Sequence, residues 1–304
     1  MPIIPISSHQ DWHAIRGNHI GASEVSALFE HGGDLTPNRL WHEKMGHYHD
    51  DGNILMAWGR VMEPIIAALC NEHFGWQMEK ADHYLEHPAY PHIGCTPDYY
   101  ATDENGRRGM VQIKNITHHH ERWQKGRVPE RVRLQAQQEI LLAATCTDVE
   151  WYCVVSLHDG NPEDLRQSFM WHDAPTQREI ITRCNQFWRM VQENIEPELL
   201  PGEAGPHITR MVKQATPGYA SINLEHDESV DDLMKSYREA QDVARKAKAH
   251  ADNLKARIHR LLLTIGTQKN IQRYNGLTSK NHRANLSFSK NGAMRLNVKE
   301  RTLN

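Results

Sequence analysis

The sequence predicts an α/β protein: a mixed central sheet flanked by helices, then a long heptad-patterned helix and a small basic β-hairpin. Three observations lead there. Residues 149–157 form a nearly continuous apolar, β-rich run, the pattern of a strand buried on both faces. Up to residue 195, short β-rich runs are interspersed with segments of helical periodicity, as in a sheet covered by helices. Pro197, Pro201, Gly202, Gly205 and Pro206 then punctuate the chain, and an unbroken heptad run follows. The expected division is residues 1–200 and residues 201–304.

The elements follow in order. Trp12 and Arg16 precede Gly21-Ala22-Ser23-Glu24, where a helix is expected to begin at Ala22 or Ser23. Glu24 would lie in its favourable first turn, and its free N–H groups could bind phosphate. Residues 37–45 read as a short helix, and 54–74 as a longer one that Pro64 should break or restart. Glu63 sits there among apolar residues and needs a partner or a metal; Arg60, one turn back, is the ordinary candidate. Short strands are expected at 76–80 and 83–87, then a β-rich stretch at 93–101. The tight turn Asp103-Glu104-Asn105-Gly106 leads into a strand at 110–115. A helix over 129–144 carries Gln135, Gln137 and Gln138, with Gln135 and Glu139 on one face. A strand at 166–172 and a helix at 176–194 complete the core.

Beyond the boundary, the apolar positions Val230, Leu233, Tyr237, Ala240, Ala244, Ala247, Ala251, Leu254, Ile258, Leu261 and Ile265 alternate in steps of three and four. This is a heptad seam on one helix of about 55 Å, with Gly266 as its expected stop. A basic hairpin around Asn291-Gly292 follows.

Composition narrows the class. The 304 residues are 39% hydrophobic, enough for one large or two smaller cores. No apolar run is expected to span a membrane, and Met1-Pro2-Ile3-Ile4-Pro5-Ile6 lacks a charged leader, so the cytoplasm is the expected location. Five scattered cysteines without a C-x-x-C pair read as reduced thiols rather than a disulfide frame or a zinc site. The net charge of −3 conceals an asymmetry: residues 206–304 carry 18 Lys and Arg against 9 Asp and Glu, while residues 1–205 carry 17 against 29. A basic tail suits a polyanion or an acidic partner surface as well as plain solvation. Histidines number 21, but neither His118-His119-His120 nor His47-Tyr48-His49 has partners at zinc spacing; solvent or DNA phosphate contacts suit them better.

The chemistry concentrates in Gly94-Cys95-Thr96-Pro97-Asp98 and Val111-Gln112-Ile113-Lys114. Gln112 and Lys114 share one strand face, and the intervening turn can bring Asp98 beside them. Oxygen donors next to a lysine are the minimum apparatus for metal-assisted phosphodiester hydrolysis. Taken alone, the same pattern also suits an ordinary surface hairpin.

The ordered set Arg16, Ser23-Glu24, Glu63, Thr96-Pro97-Asp98, Gln112-x-Lys114 and Gln135-x-Gln137 resembles the lambda-exonuclease/YqaJ group of viral recombination nucleases, within the PD-(D/E)xK superfamily. The resemblance covers about residues 8–195, and more loosely the helix and hairpin beyond 205. It implies a PD-(D/E)xK nuclease core and the catalytic residues Glu63, Asp98, Gln112 and Lys114. It also implies Mg²⁺, with Mn²⁺ as substitute, held by Glu63, Asp98, Gln112 and the Ile113 carbonyl. Arg16, Ser23 and Thr96 match positions that hold a 5′-phosphate, and Gln135 and Gln137 the helix lining the site. The implied activity is a 5′-to-3′ double-strand DNA exonuclease that leaves 3′ overhangs for a single-strand annealing protein. The implied assembly is a homo-oligomer, a trimeric ring on DNA ends, encoded by a phage or prophage and working in a bacterial host.

Gln112 departs from the pattern, which expects an acid. Its carbonyl still offers Mg²⁺ an oxygen, but with one negative charge fewer and no capacity to act as a base. It is a tolerated natural variant, a weakened or dead site, or an engineered Glu→Gln change. The runner-up is therefore a catalytically silent DNA-binding or scaffold subunit of the same fold.

Overall fold

The computed structural model describes residues 3–29, 33, 35–47, 52, 54–117, 122–123, 127–200, 208–209, 227–268, 276–278, 282–288 and 294–300. The His118-His119-His120 run, Tyr48-His49, the punctuation at 201–206 and the Asn291-Gly292 turn lie outside the described residues. The chain forms two compact units, residues 1–218 and residues 219–304.

In the first unit the order is β1 (Ile3–Pro5), α1 (His9–Gly17), β2 (Ile20–Gly21), a 3-10 helix (Val25–Phe29), α2 (Pro37–Lys44), α3 (Ile54–Phe74), β3 (Gln77–Lys80), β4 (His83–His87), β5 (Tyr90–Cys95), β6 (Tyr99–Thr102), β7 (Arg108–Ile116), α4 (Glu130–Cys146), β8 (Trp151–His158), β9 (Asn161–Met170) and α5 (Ala174–Gln192). Two mixed sheets result, ordered β1-β4-β5-β2 and β3-β6-β7-β8-β9. All eight residues of β8 are buried, as its apolar run predicts.

The five-stranded sheet separates two cores. Val111 and Ile113 of β7 pack with Met62, Ile66, Ala67 and Cys70 of α3. Met110 of β7 packs with Val132, Ala136, Ile140 and Ala143 of α4. Strand alternation therefore sends Gln112 and Lys114 to the α4 side. A third core joins the 3-10 helix and α2 to α5 through Val25, Leu40, Trp41, Ile180 and Phe187. At Gly94 a Cβ atom would stand 2.2 Å from the Tyr84 ring, so only glycine lets β5 pass there.

Four expectations need correction. The β-rich stretch 93–101 is two strands in different sheets: Thr96-Pro97-Asp98 carry the chain from β5 to β6, and Pro97 has no N–H for a ladder. No α-helix starts at Ser23. The Glu24 carboxylate turns back to accept the Gly21 N–H at 2.8 Å, and only a five-residue 3-10 helix follows. Helix α3 runs unbroken through Pro64. It is also long and apolar enough to cross a membrane by length and composition, which the sequence reading did not allow; here Met62, Ile66, Ala67 and Cys70 bury one face of it against the sheet.

The second unit contains α6 (Glu228–Gln268) and a three-stranded antiparallel sheet of β10 (Gly276–Thr278), β11 (His282–Phe288) and β12 (Met294–Glu300). Helix α6 continues past Gly266 to Gln268. Most of its apolar seam is exposed, including Leu233 and Tyr237.

Candidate active site

The antiparallel register Tyr99↔Val111 sets the residues one step outward, Asp98 and Gln112, side by side at the mouth of the β6/β7 pair. The Gln112 amide donates to Asp98 Oδ2 at 2.5 Å, and the Ile113 N–H donates to the same oxygen at 2.8 Å. Gln112 is 4% exposed, and its Oε1 finds no hydrogen-bond partner among the described residues. An orphaned, buried carbonyl oxygen beside a carboxylate is the donor pair a hard cation takes. Glu63 reaches the same cleft from α3. Its cation neighbour is Lys80 of β3 at 3.7 Å, rather than Arg60.

Lys114, two residues along β7, donates to Gln135 Oε1 at 3.1 Å. Gln135 Nε2 in turn donates to Glu139 Oε1 at 2.8 Å, and the Tyr152 hydroxyl donates to Glu139 Oε2 at 2.5 Å. Burial raises the pKa of all three carboxylates of this region: Asp98, where Lys114 opposes it; Glu63, with Asp98 adding repulsion; and Glu139, pushed up to about 7 by burial and then by Asp98.

The opposite end of the cleft is cationic. Glu24 is buried, yet Lys44 at 2.8 Å and Arg16 at 2.7 Å outweigh its burial and hold its carboxyl below the usual range. The Arg16 guanidinium lies 4.6 Å over the Trp12 ring and 3.4 Å from Ser23 Oγ. Trp12 Nε1 donates to Thr96 Oγ1 at 2.9 Å. Trp12 thus couples Arg16 to Thr96. The tetrad Trp12, Arg16, Ser23, Thr96 and the group Glu63, Asp98, Gln112, Lys114, Gln135, Glu139 line one cleft of about 590 Å³.

Gln137 is a correction. It is 2% exposed and sits away from the cleft, donating to the Trp171 carbonyl and accepting from the Asp173 N–H and the Gln177 amide. Two residues along a helix is a rotation of about 200°, so it cannot face the cleft with Gln135. Gln138 instead braces the cleft wall, its amide donating to the carbonyls of Ile20 at 2.8 Å and Gly94 at 3.0 Å. Trp12, Lys44 and Glu139 are the site residues that the sequence reading left out. The i, i+4 spacings of Trp12 with Arg16 and of Gln135 with Glu139 were the signals for two of them. Among the described residues no three His, Cys, Asp or Glu side chains converge as a metal cluster.

A mixed sheet with Asp98 immediately before β6 and Lys114 on the adjoining β7, flanked by helices that add Glu63 and Gln135, is the arrangement that the PD-(D/E)xK resemblance implies. Residues 11–147 match the YqaJ-like viral recombinase domain. Its structure is similar to the alkaline exonuclease LHK-Exo from Laribacter hongkongensis, with 20% identity and a TM-score of 0.50 over 68% of this chain and all of that one. The LHK-Exo complex with dAMP matches likewise, at 19% identity and a TM-score of 0.50, with the same coverage of both chains. The shutoff and exonuclease protein of Kaposi's sarcoma-associated herpesvirus aligns at 8% identity and a TM-score of 0.37, over 63% of this chain and 71% of its own. No curated protein sequence matches the chain.

Proposed function

We propose that this chain is a metal-dependent deoxyribonuclease that digests double-stranded DNA from 5′ ends, releasing mononucleotides and leaving 3′ overhangs. The observation that carries the reading is the buried pair of Asp98 with the orphaned Gln112 carbonyl, next to Lys114, in a cleft whose other end presents Arg16, Ser23 and Thr96. That a structure of the similar LHK-Exo holds dAMP supports a nucleotide product.

Glu63, Asp98, the Gln112 oxygen and the Ile113 carbonyl would hold Mg²⁺ or Mn²⁺. A metal bound there supplies a water of lowered pKa and neutralises charge on the phosphoryl oxygens. Lys114 orients the attacking water and stabilises charge developing on the phosphate. Arg16, Ser23 and Thr96 grip the terminal 5′-phosphate through charge-assisted hydrogen bonds, which positions the adjacent phosphodiester. Glu24 and Lys44 keep the Arg16 guanidinium in place.

We further propose that residues 1–200 are the nuclease and residues 201–304 an accessory region. The protein assembles as a ring-shaped trimer in a phage-infected bacterial cytoplasm and passes its product to a single-strand annealing protein. A second reading, a silent DNA-binding subunit, draws on the neutral Gln112 in place of an acid.

The test is Mg²⁺-dependent digestion of linear duplex bearing 5′-phosphates, beside closed circular duplex and the Gln112→Glu variant. Mononucleotides from linear DNA alone support the exonuclease; cutting of circles makes it an endonuclease. Activity in Gln112→Glu alone means a nuclease disabled at one ligand, and silence from both supports the scaffold.

A further inference from the structure

We propose that Glu139 is a positioning residue: by accepting the Gln135 amide N–H it fixes which end of that amide faces Lys114, and so holds the lysine ammonium in the cleft. The inference deepens the nuclease reading and rests on it only for its kinetic arm.

A glutamine side chain can present either end. A carbonyl oxygen accepts from the Lys114 ammonium; an amide nitrogen would meet it donor to donor. At Gln135 the choice is made by its far end. Nε2 is 2.8 Å from Glu139 Oε1, an acceptor, so Oε1 must point toward Lys114 Nζ, 3.1 Å away. Glu139 cannot turn aside. It is 1% exposed, and the Tyr152 hydroxyl, on a strand buried along its whole length, holds its other oxygen. Tyr152 on the core side and Gln135 on the cleft side both donate to Glu139, and Lys114 donates to Gln135, so every donation in the chain runs toward Glu139. Buried chains of this kind are costly when left half satisfied, which favours a single arrangement.

The role needs reach rather than charge, and two conservative variants separate these. Glu139→Gln keeps an oxygen for Gln135 if its amide N–H donates to the Tyr152 hydroxyl. Glu139→Asp keeps the carboxyl group but falls one methylene short. The readout that does not depend on turnover is acetylation of Lys114 by an N-hydroxysuccinimide ester, followed by mass spectrometry of the full chain. Glu139→Asp is expected to raise Lys114 labelling about two- to tenfold, the effect of losing one hydrogen bond, with Glu139→Gln near wild type. In a Gln135→Ala background neither change should matter further, because the effect passes through Gln135. With DNA and Mg²⁺, Glu139→Asp should lower kcat by a similar factor at unchanged KM. The opposite order, with Asp tolerated and Gln impaired, would overturn the proposal, as would equal labelling in all variants. A wild-type chain that digests no DNA but shows the expected labelling order would retire the nuclease reading and leave this one standing.

Discussion

The two ends of the cleft solve the burial of charge in opposite ways. At the Glu24 end one carboxylate is enclosed by two cations, Lys44 and Arg16, and stays ionised below its ordinary range. At the Asp98 end three carboxylates, Glu63, Asp98 and Glu139, lie near Lys114 and the largely exposed Lys80, and all are raised. The first end is electrostatically finished without any ligand. The second is short of positive charge, and a divalent cation would supply it. A buried ion pair stabilises little against an apolar substitute, but breaking one is expensive. Structural integrity should therefore depend on the first end, and ligand dependence on the second.

The largest expected effect is at the cation-poor end. Asp98→Ala should lower DNA cleavage by about 1,000-fold or more while end binding, read by fluorescence anisotropy, changes little. Substantial activity in that variant would break the contrast. Next, Lys44→Met should destabilise the protein by about 3–5 kcal/mol in urea unfolding, since it leaves Glu24 buried with half its compensation. The third effect is a pH dependence of opposite sign at the two ends. Burial and then Asp98 push the Glu139 carboxyl up to about 7 in the folded chain, well above the ordinary glutamate range. Its favourable contribution is complete below the unfolded value and is lost as pH rises through about 7, a change of up to about 3 kcal/mol in metal-free protein. Glu139→Gln should flatten that decline in thermal melts between pH 4.5 and 7.5. The Glu24 contribution has the reverse sign, present above the ordinary carboxylate range and lost on acidification.

Smaller effects sharpen the comparison further. Gln112→Glu adds a carboxylate where Asp98 is already raised, so it should tighten Mg²⁺ binding about tenfold by calorimetry and lower metal-free stability. Lys80→Ala should cost less than about 1 kcal/mol, because its 3.7 Å contact with Glu63 is made by a largely exposed ammonium. A Lys80 effect as large as that of Lys44 would show that the two ends do not differ as described.

Much of this arrangement was legible in the sequence because it rests on short-range periodicity. Strand alternation puts Gln112 and Lys114 on one face, and the Asn105-Gly106 turn brings Asp98 to them; Gly106 takes a φ of +76° there. The buried β8 and the helices α4 and α5 were equally readable. Where reading failed, a local rule met a longer-range contact. Glu24 prefers Gly21, Arg16 and Lys44 to the first turn of a helix, and the coming together of these groups depends on α2 packing against the 3-10 helix. The Gln-x-Gln motif points Gln137 at the cleft against the helical rotation, which favours Glu139. Lys44 carries no local mark at all, since only the folded chain brings it 2.8 Å from a residue 20 positions earlier.

The crossing at Thr96-Pro97-Asp98 has one more consequence. A single proline separates Thr96, which Trp12 links to Arg16, from Asp98, which Gln112 contacts. Two residues of extended chain span about 7 Å. On the nuclease reading this short, stiff bridge is a ruler: the distance from the held terminus to the severed bond is written in covalent geometry, not in the adjustable packing of helices. Bite size would then be a fixed property of the backbone, indifferent to DNA sequence, and one glycine inserted after Pro97 should spoil the measure while leaving both ends of the cleft intact.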